Sequence, residues 1–374
     1  MKLISLQKNL KAAVYAVNHI AQKNTNLPIL NNILLSAKDG MIKLVSTNLE
    51  IGITSLLRGK IESEGSFTID ARLFSDYVNL LPNEKVSVEL KDNELVVECG
   101  ENRTRIKGMS AEEFPFIPDV ERVSAYTIPM EAFKRAVGQV IFAAAMDEAR
   151  AELSGILAVL SDKELVMAAT DSYRLAEKRV PVVSSVAGEE RRCIIPARTL
   201  QEVIRVIGVD SGDESEATDI VLYVSDSQCL FVVGGTEIVS RLIEGRYPDY
   251  QQIIPVKQTA KASVDRQELS RAIKAAAIFS KTGVNDVSLA FDAEKKTLKV
   301  SAGSGQAGDH VSTLGATVSG EAVSIILNSR YLLDVLATME SETAALEVVD
   351  GDTPCIMRDG DGKNSLYIIM PIRK

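Results

Sequence analysis

Three segments of this 374-residue chain follow one pattern: TIDARLFSDYVNLLP (68–82), IIPARTLQEVIRVIG (194–208) and ILNSRYLLDVLATME (326–340). Each opens on a β-rich run, takes a small polar or proline step, places an Arg, and continues as an apolar stripe at helical spacing. The Arg falls at Arg72, Arg198 and Arg330, 126 and 132 residues apart. Asp70 and Asn328 suit a helix N-cap, and Pro196 suits a helix start. A second set lies upstream: SLQKNLKAAVYAVNHI (5–20), IPMEAFKRAVGQVIFA (128–143) and VDRQELSRAIKAAAIF (264–279), aligned on Leu10, Phe133 and Leu269. Alternating runs follow these helices at 33–48, 156–171 and 287–302 and read as β-hairpins. The chain therefore holds three copies of a unit of about 125 residues, each made of two strand–helix–strands elements. Antiparallel strands with two helices per unit predict an α+β fold, with the helices collected on one face of the sheets. Boundaries near VERVSAY (120–126) and PVKQTAKA (255–262) give units 1–122, 123–255 and 256–374.

The residues offer little for catalysis. The four cysteines, Cys99, Cys193, Cys229 and Cys355, form no CxxC pair, and only two histidines, His19 and His310, are present. That disfavours a zinc centre or a His-dependent hydrolase and predicts free, mostly buried thiols in a reducing compartment. No run approaches the ~20 apolar residues of a membrane helix. The start reads as a strand and an amphipathic helix, not a signal peptide, so the expected location is the cytoplasm. GSGQAG (303–308) matches G-x-G-x-x-G, but DHVSTLGATVSG after it reads as a strand where a dinucleotide site needs a helix. Ser172 has no histidine nearby in sequence, and Asp171 is better read as fixing a turn. No metal ligand set and no cofactor is expected.

A net charge of −9 argues against nucleic acid at first sight. Screening confines exposed charges to roughly 8–10 Å, however, so an acidic total can coexist with a basic face. The helical segments carry Lys8, Lys11, Lys134, Arg135, Arg271 and Lys274 in one set, and Arg72, Arg198, Arg205 and Arg330 in the other. Acids interrupt both sets, and each cation taken singly is an ordinary solvated residue. The recurrence of Arg at one repeat position is what points to phosphates, contacted without base reading. One oddity remains: the chain ends on LYIIMPIRK (366–374), apolar where a terminus is normally frayed and polar.

NLPILNNILL (26–35), STNLEIGI (46–53), IDARLFSDYVNLLP (69–82), EEFPFIPD (112–119), ATDSYRLA (169–176), RLIEGRYPDYQQIIP (241–255) and YIIMPIRK (367–374) occur in this order along the whole chain. Together they resemble the bacterial DNA polymerase III β subunits, the sliding clamps. The resemblance implies a non-catalytic, ring-shaped homodimer of three similar domains per chain, helices lining the hole and sheets outside. It implies a ring around double-stranded DNA that tethers the polymerase, with most of the two chains' negative charge outside. Its partners would be the replicative polymerase's alpha-type subunit, a clamp-loading ATPase, and other polymerases and repair proteins carrying short clamp-binding peptides.

Carried over motif by motif, the peptide cleft would use Leu153, Thr170, Ser172, Tyr173, Arg174, Leu175, Pro248 and Ile253, then Pro354. Ile368, Ile369, Met370, Pro371, Ile372 and Arg373 would come from the tail, with Arg174 and Arg373 as charged rims. Leu153, Leu175 and Ile369 also read as plain core. Ser172–Tyr173 stands where the family often has Gly-His, which leaves the peptide preference open. DNA would meet the helical cations above together with Lys23 and Asn24. The dimer contact would set Thr104 and Ile106 against Ile278 and Phe279. Two other classes remain to be weighed: a nucleotide-dependent enzyme using GSGQAG, and a repeat scaffold that binds proteins but never DNA.

Overall fold

Six helices recur at the predicted repeat positions among the described residues of the computed structural model, which are 1–21, 26–186, 189–208, 218–280, 283–304, 308–360, 362 and 364–373. They are α1 (Gln7–Asn18), α2 (Ala71–Leu80), α3 (Met130–Val140), α4 (Ala197–Ile207), α5 (Arg266–Ala277) and α6 (Ser329–Thr338). Their starts follow the sequence. Asp70 caps α2 by accepting from Leu73 N at 2.8 Å, and Asn328 caps α6 by accepting from Arg330 N at 2.9 Å. Pro196 precedes the first residue of α4, so its fixed φ serves the cap position. The Asp39–Gly40 turn of the first hairpin has φ of 50° and 72°, the left-handed pair that a two-residue hairpin needs.

Each odd helix lies on the same two strands of its unit. Helix α1 covers Met41–Thr47 and Ile51–Leu56, α3 covers Glu164–Thr170 and Arg174–Pro181, and α5 covers Thr297–Ser304 and Gly308–Gly320. The apolar stripes of the helices meet the inward side chains of these strands in one core running through all three units. No helix among the described residues is long and apolar enough to cross a membrane. All four cysteines are free and buried; burial pushes the Cys193 and Cys355 thiols up to about 12. Gly303–Ser304 closes one strand and Gly308 opens the next, so the helix that a dinucleotide site requires is absent. Residues 305–307 lie outside the described set, as do 209–217 of the acidic loop.

Units join by strand pairing. Ile51–Leu56 of the first unit pairs antiparallel with Thr236–Arg241 of the second, setting Gly52 opposite Val239 and Ile53 opposite Ile238. Arg174–Pro181 of the second pairs in the same way with Ser365–Ile369 of the third, setting Leu175 opposite Ile368 and Ala176 opposite Tyr367. The correspondence extends past the strands. Arg241 N donates to Glu50 O (3.2 Å) and Met370 N to Tyr173 O (2.9 Å). Ile243 N donates to Ile194 O (2.9 Å) and Ile372 N to Ile326 O (2.8 Å). The apolar tail is thus the last strand of a sheet, continued by two backbone tethers. These seams merge the strands into one sheet of 14 and one of 12 among the described residues.

Candidate partner cleft, helical face and free edges

The turn before the second seam is built by two polar side chains. Thr170 Oγ1 donates to Arg174 O (2.7 Å) and accepts from Ser172 N (3.1 Å). Asp171 Oδ1 accepts from Tyr173 N and Arg174 N, both at 2.9 Å. Thr47 and Asn48 make the same four bonds in the first unit, and Leu49 and Ser172 share a positive φ of 75° and 78°. Asp171 therefore fixes a turn, as the sequence suggested. Glycine would be relaxed at position 172, while serine carries a small backbone cost there.

Beyond the turn, side chains alternate between the sheet's two faces. On the face away from the helices, Leu153, Leu175 and Ile368 are buried in a second apolar cluster with Tyr247, Tyr250 and Ile356. Tyr250 donates its hydroxyl to Glu177 Oε2 at 2.6 Å. Around this base, Tyr173 (63%) and Ile253 (44%) are exposed, Met370, Pro371, Ile372 and Pro354 are half-buried, and Ser172, Pro248 and Arg373 face solvent. Thr170 is buried beneath them. The two tyrosines were missed by sequence reading although they flank Pro248 in the YPDY motif.

Two carried-over cleft residues face the other way. Ile369 belongs to the helix-side core, because strand alternation turns it opposite to Ile368. Arg174, two residues from the helix-facing Ala176, also points at the helices. It is only 12% exposed, bonded to Asp171 (Nε–Oδ2 3.0 Å) and to Asp334 of α6, and lies over the Phe142 and Tyr331 rings at 5.3 and 4.6 Å. It is a bolt through the seam and not a free rim charge.

On the helical face, Lys8, Lys11, Arg72, Arg135, Arg198, Arg271, Lys274 and Arg330 are exposed, and Lys134 is half-buried. Arg205 is the exception, with a side chain 16% exposed. Its guanidinium donates to Tyr15 O and Ala16 O at the end of α1 (both 2.6 Å) and to Glu202 Oε2 (2.9 Å), and it lies over the Tyr15 ring. Glu202 also meets His19 Nδ1 at 2.5 Å. Arg205 therefore locks α1 to α4 and uses each of its three nitrogens in a bond within the chain. Lys23 and Asn24 lie outside the described residues.

The linker after the first unit crosses the first seam where Gly52 stands in the place of Leu175. A Cβ on Gly52 would come within 2.8 Å of Ile117 Cδ1 and 2.9 Å of Ile117 Cγ2. We expect Gly52→Val to displace this linker and to cost about 1–3 kcal/mol. Denaturant melts and the rate of proteolysis within 112–120 check it; wild-type values for both would contradict the contact.

Two strand edges at the repeat positions of the seams have no neighbour over most of their length among the described residues. Asn102–Met109 pairs on one side with Glu94–Cys99 and on the other only at Gly108 and Met109. Gly308–Gly320 pairs with Thr297–Ser304 and, on its other side, with Ala260–Asp265 only from Ala316 onward. Of the expected dimer residues, Ile278 is 75% exposed, Thr104 is half-buried, and Phe279 stacks on His310 (centroids 5.6 Å apart, planes at 11°). Ile106 departs from expectation: it is 5% exposed within its own unit's core, so only its backbone is available.

Comparison with known proteins gives the same account from end to end. Residues 1–118, 127–249 and 251–373 match the N-terminal, central and C-terminal domains of the DNA polymerase III beta subunit. The beta sliding clamp of Synechococcus elongatus is 28% identical over 100% of this chain and 99% of its own. The sliding clamp structure from Bacillus subtilis superposes with a TM-score of 0.92 at 26% identity, covering 100% of this chain and 99% of that one. A Pseudomonas aeruginosa clamp bound to griselimycin has the same fold, with a TM-score of 0.92 at 23% identity and full coverage of both chains. Matched along its whole length, the chain belongs to the DNA polymerase III beta subunit family, the sliding clamps, which serve DNA replication as processivity factors and not as enzymes.

Proposed function

We propose that two copies of this chain, each of units 1–122, 123–255 and 256–374, close into a ring around duplex DNA. The observation that carries this is the repetition of the seam. Two seams within the chain share one register, and the edges of Asn102–Met109 and Gly308–Gly320, which lie at the same repeat positions, would be the two halves of a third. Ser240 and Ile369 occupy the repeat position of Ile106, since they stand opposite Cys229, Cys355 and Leu95 on their preceding strands. Ile51 and Arg174 occupy that of Gly308, since Ile53, Ala176 and His310 stand opposite Ser46, Ala169 and Ala302. The third seam then sets Ile106 opposite Gly308 of the second copy, Arg105 opposite its Asp309 and Thr104 opposite its His310. Opposite charges directly across a ladder favour that register. Closure also removes two open sheet edges.

The helices follow the same rule. The end of α1 meets α4 through Arg205, and the end of α3 meets α6, where Gln139 Nε2 donates to Thr338 O at 3.2 Å. The end of α5, with Ile278, would meet α2 of the second copy, where Leu73 and Leu80 are 52% and 84% exposed. The exposed helical cations would then surround the hole and hold DNA through phosphates, weakly enough to slide. The cleft at the second seam would take short peptides from the replicative polymerase, the clamp-loading ATPase and repair proteins, in the bacterial cytoplasm. In this reading Tyr173, Pro248, Ile253, Pro354, Met370, Pro371, Ile372 and Arg373 form its mouth, and Leu153 and Leu175 its base.

The test is topological. Loaded on circular DNA by a clamp-loading ATPase, the chain should stay bound through gel filtration at moderate salt, whatever the DNA sequence. Cutting the circle should release it. No retention, or retention that survives linearisation, would contradict encirclement and favour a scaffold that never holds DNA.

A further inference from the structure

The four-bond turn occurs at both seams, but among the described residues only the one at the cleft mouth is bonded through side chains to a helix. In the first unit the residue after the turn is Ile51, buried in the core, and no side-chain bond from the Asn48 turn to a helix is present among the described residues. In the second unit the same position is Arg174. Arg174 Nε binds the Oδ2 of Asp171, whose Oδ1 already holds the amides of Tyr173 and Arg174. Its terminal nitrogen binds Asp334 on α6. Tyr173 O in turn receives Met370 N from the tail.

Asp334 occupies a repeat position. It stands four residues after Arg330, as Glu202 stands after Arg198 and Asp76 after Arg72. The three acids have diverged in use. Asp76 reaches only its own Arg72, 3.9 Å away on an exposed face, and Glu202 holds Arg205 and His19. Asp334 alone reaches through the sheet's seam toward a turn that borders the cleft.

We propose that Asp334 is a positioning residue for the cleft mouth, acting through Arg174 and Asp171 on the turn that carries Ser172 and Tyr173. It lines no part of the cleft and lies on the opposite side of the sheet. Its carboxylate anchors the guanidinium, the guanidinium orients Asp171, and Asp171 fixes the two amides that set the direction of Tyr173. Through Tyr173 O the same chain of bonds reaches Met370 in the tail. An exposed turn with serine in a left-handed conformation benefits from such bracing, since the backbone alone favours other conformers. The inference rests on the cleft reading for its consequence, though not for its geometry.

The test compares wild type with Asp334→Asn, which keeps size and removes charge, and with Asp334→Glu, which restores it. Residue-resolved hydrogen exchange should show the amides of Tyr173, Arg174 and Met370 exchanging about tenfold faster in Asp334→Asn, as expected from loss of a charge-assisted bond. The rest of α6 should be unchanged, and melting little affected. A short clamp-binding peptide from a replicative polymerase, used as the cleft probe, should bind about five- to tenfold more weakly, and Asp334→Glu should recover both effects in part. Unchanged exchange at the three amides, loosening spread evenly over α6, or faster exchange with wild-type affinity would each overturn the proposal. Wild type that fails to bind the peptide would count against the cleft reading, and the exchange data would still decide the positioning role.

Discussion

Ile278→Asp should convert a particle of twice the 40.5 kDa chain mass into a stable monomer by light scattering, and abolish retention on circular DNA. Ile278 is 75% exposed at the end of α5, where the corresponding ends of α1 and α3 are covered by α4 and α6. Covering one isoleucine is worth about 2 kcal/mol, and placing a carboxylate against Leu73 and Leu80 adds a desolvation cost of several kcal/mol. Symmetry applies the change at both junctions of the ring, so the dissociation constant should rise at least about a thousandfold. The register adds a finer control. Arg105→Asp should weaken the dimer by about 1 kcal/mol per junction, and Asp309→Arg in the same chain should restore it. A dimer unaffected by Ile278→Asp would mean that the third junction is not built like the other two, and the ring would lose its main support.

That argument was only partly legible in the sequence. The repeats, six helices, caps and hairpins could be read because each has a local signature: a 3.6-residue stripe, a capping side chain, an Asp-Gly turn. Which face of a strand a residue occupies could not be read where the run does not alternate. YIIMPIRK is apolar at successive positions, so nothing local distinguishes Ile368, which enters the cleft cluster, from Ile369, which enters the helix-side core. Arg174 and Ile106 turn to the opposite face from the one expected for the same reason. Their motifs identify the strand, and the face depends on register with a partner strand far away in sequence. Arg205 failed differently. A basic residue on an amphipathic helix looks solvated until the end of α1 is brought against it across a unit boundary. The acids four residues after each repeat Arg were the available signal for such contacts, since a charge kept at one repeat position on a helix flank asks for a partner.

The second large effect is expected at the tail. Met370→Lys combined with Ile372→Asp should remove binding of partner-polymerase peptides, by at least about a hundredfold, while leaving the dimer and its retention on circular DNA intact. Both side chains are half-buried, and the Met370 backbone is bonded to that of Tyr173. Neither backbone tether is lost, because Met370 N still reaches Tyr173 O and Ile372 N still reaches Ile326 O. The strand therefore stays paired while the surface it presents changes from apolar to charged. A peptide entering that surface would have to desolvate the introduced charges, and a thioether that adapts to varied side chains would be gone. Separation of function is the decisive readout. If the double variant lost the dimer as well, the tail would be structural cement for the second seam. If it kept full partner binding, the mouth would have to lie elsewhere on the sheet. Loss of partner binding by an intact ring would explain why so apolar a segment ends the chain: its inner residues complete a sheet, and its outer ones wait for another protein.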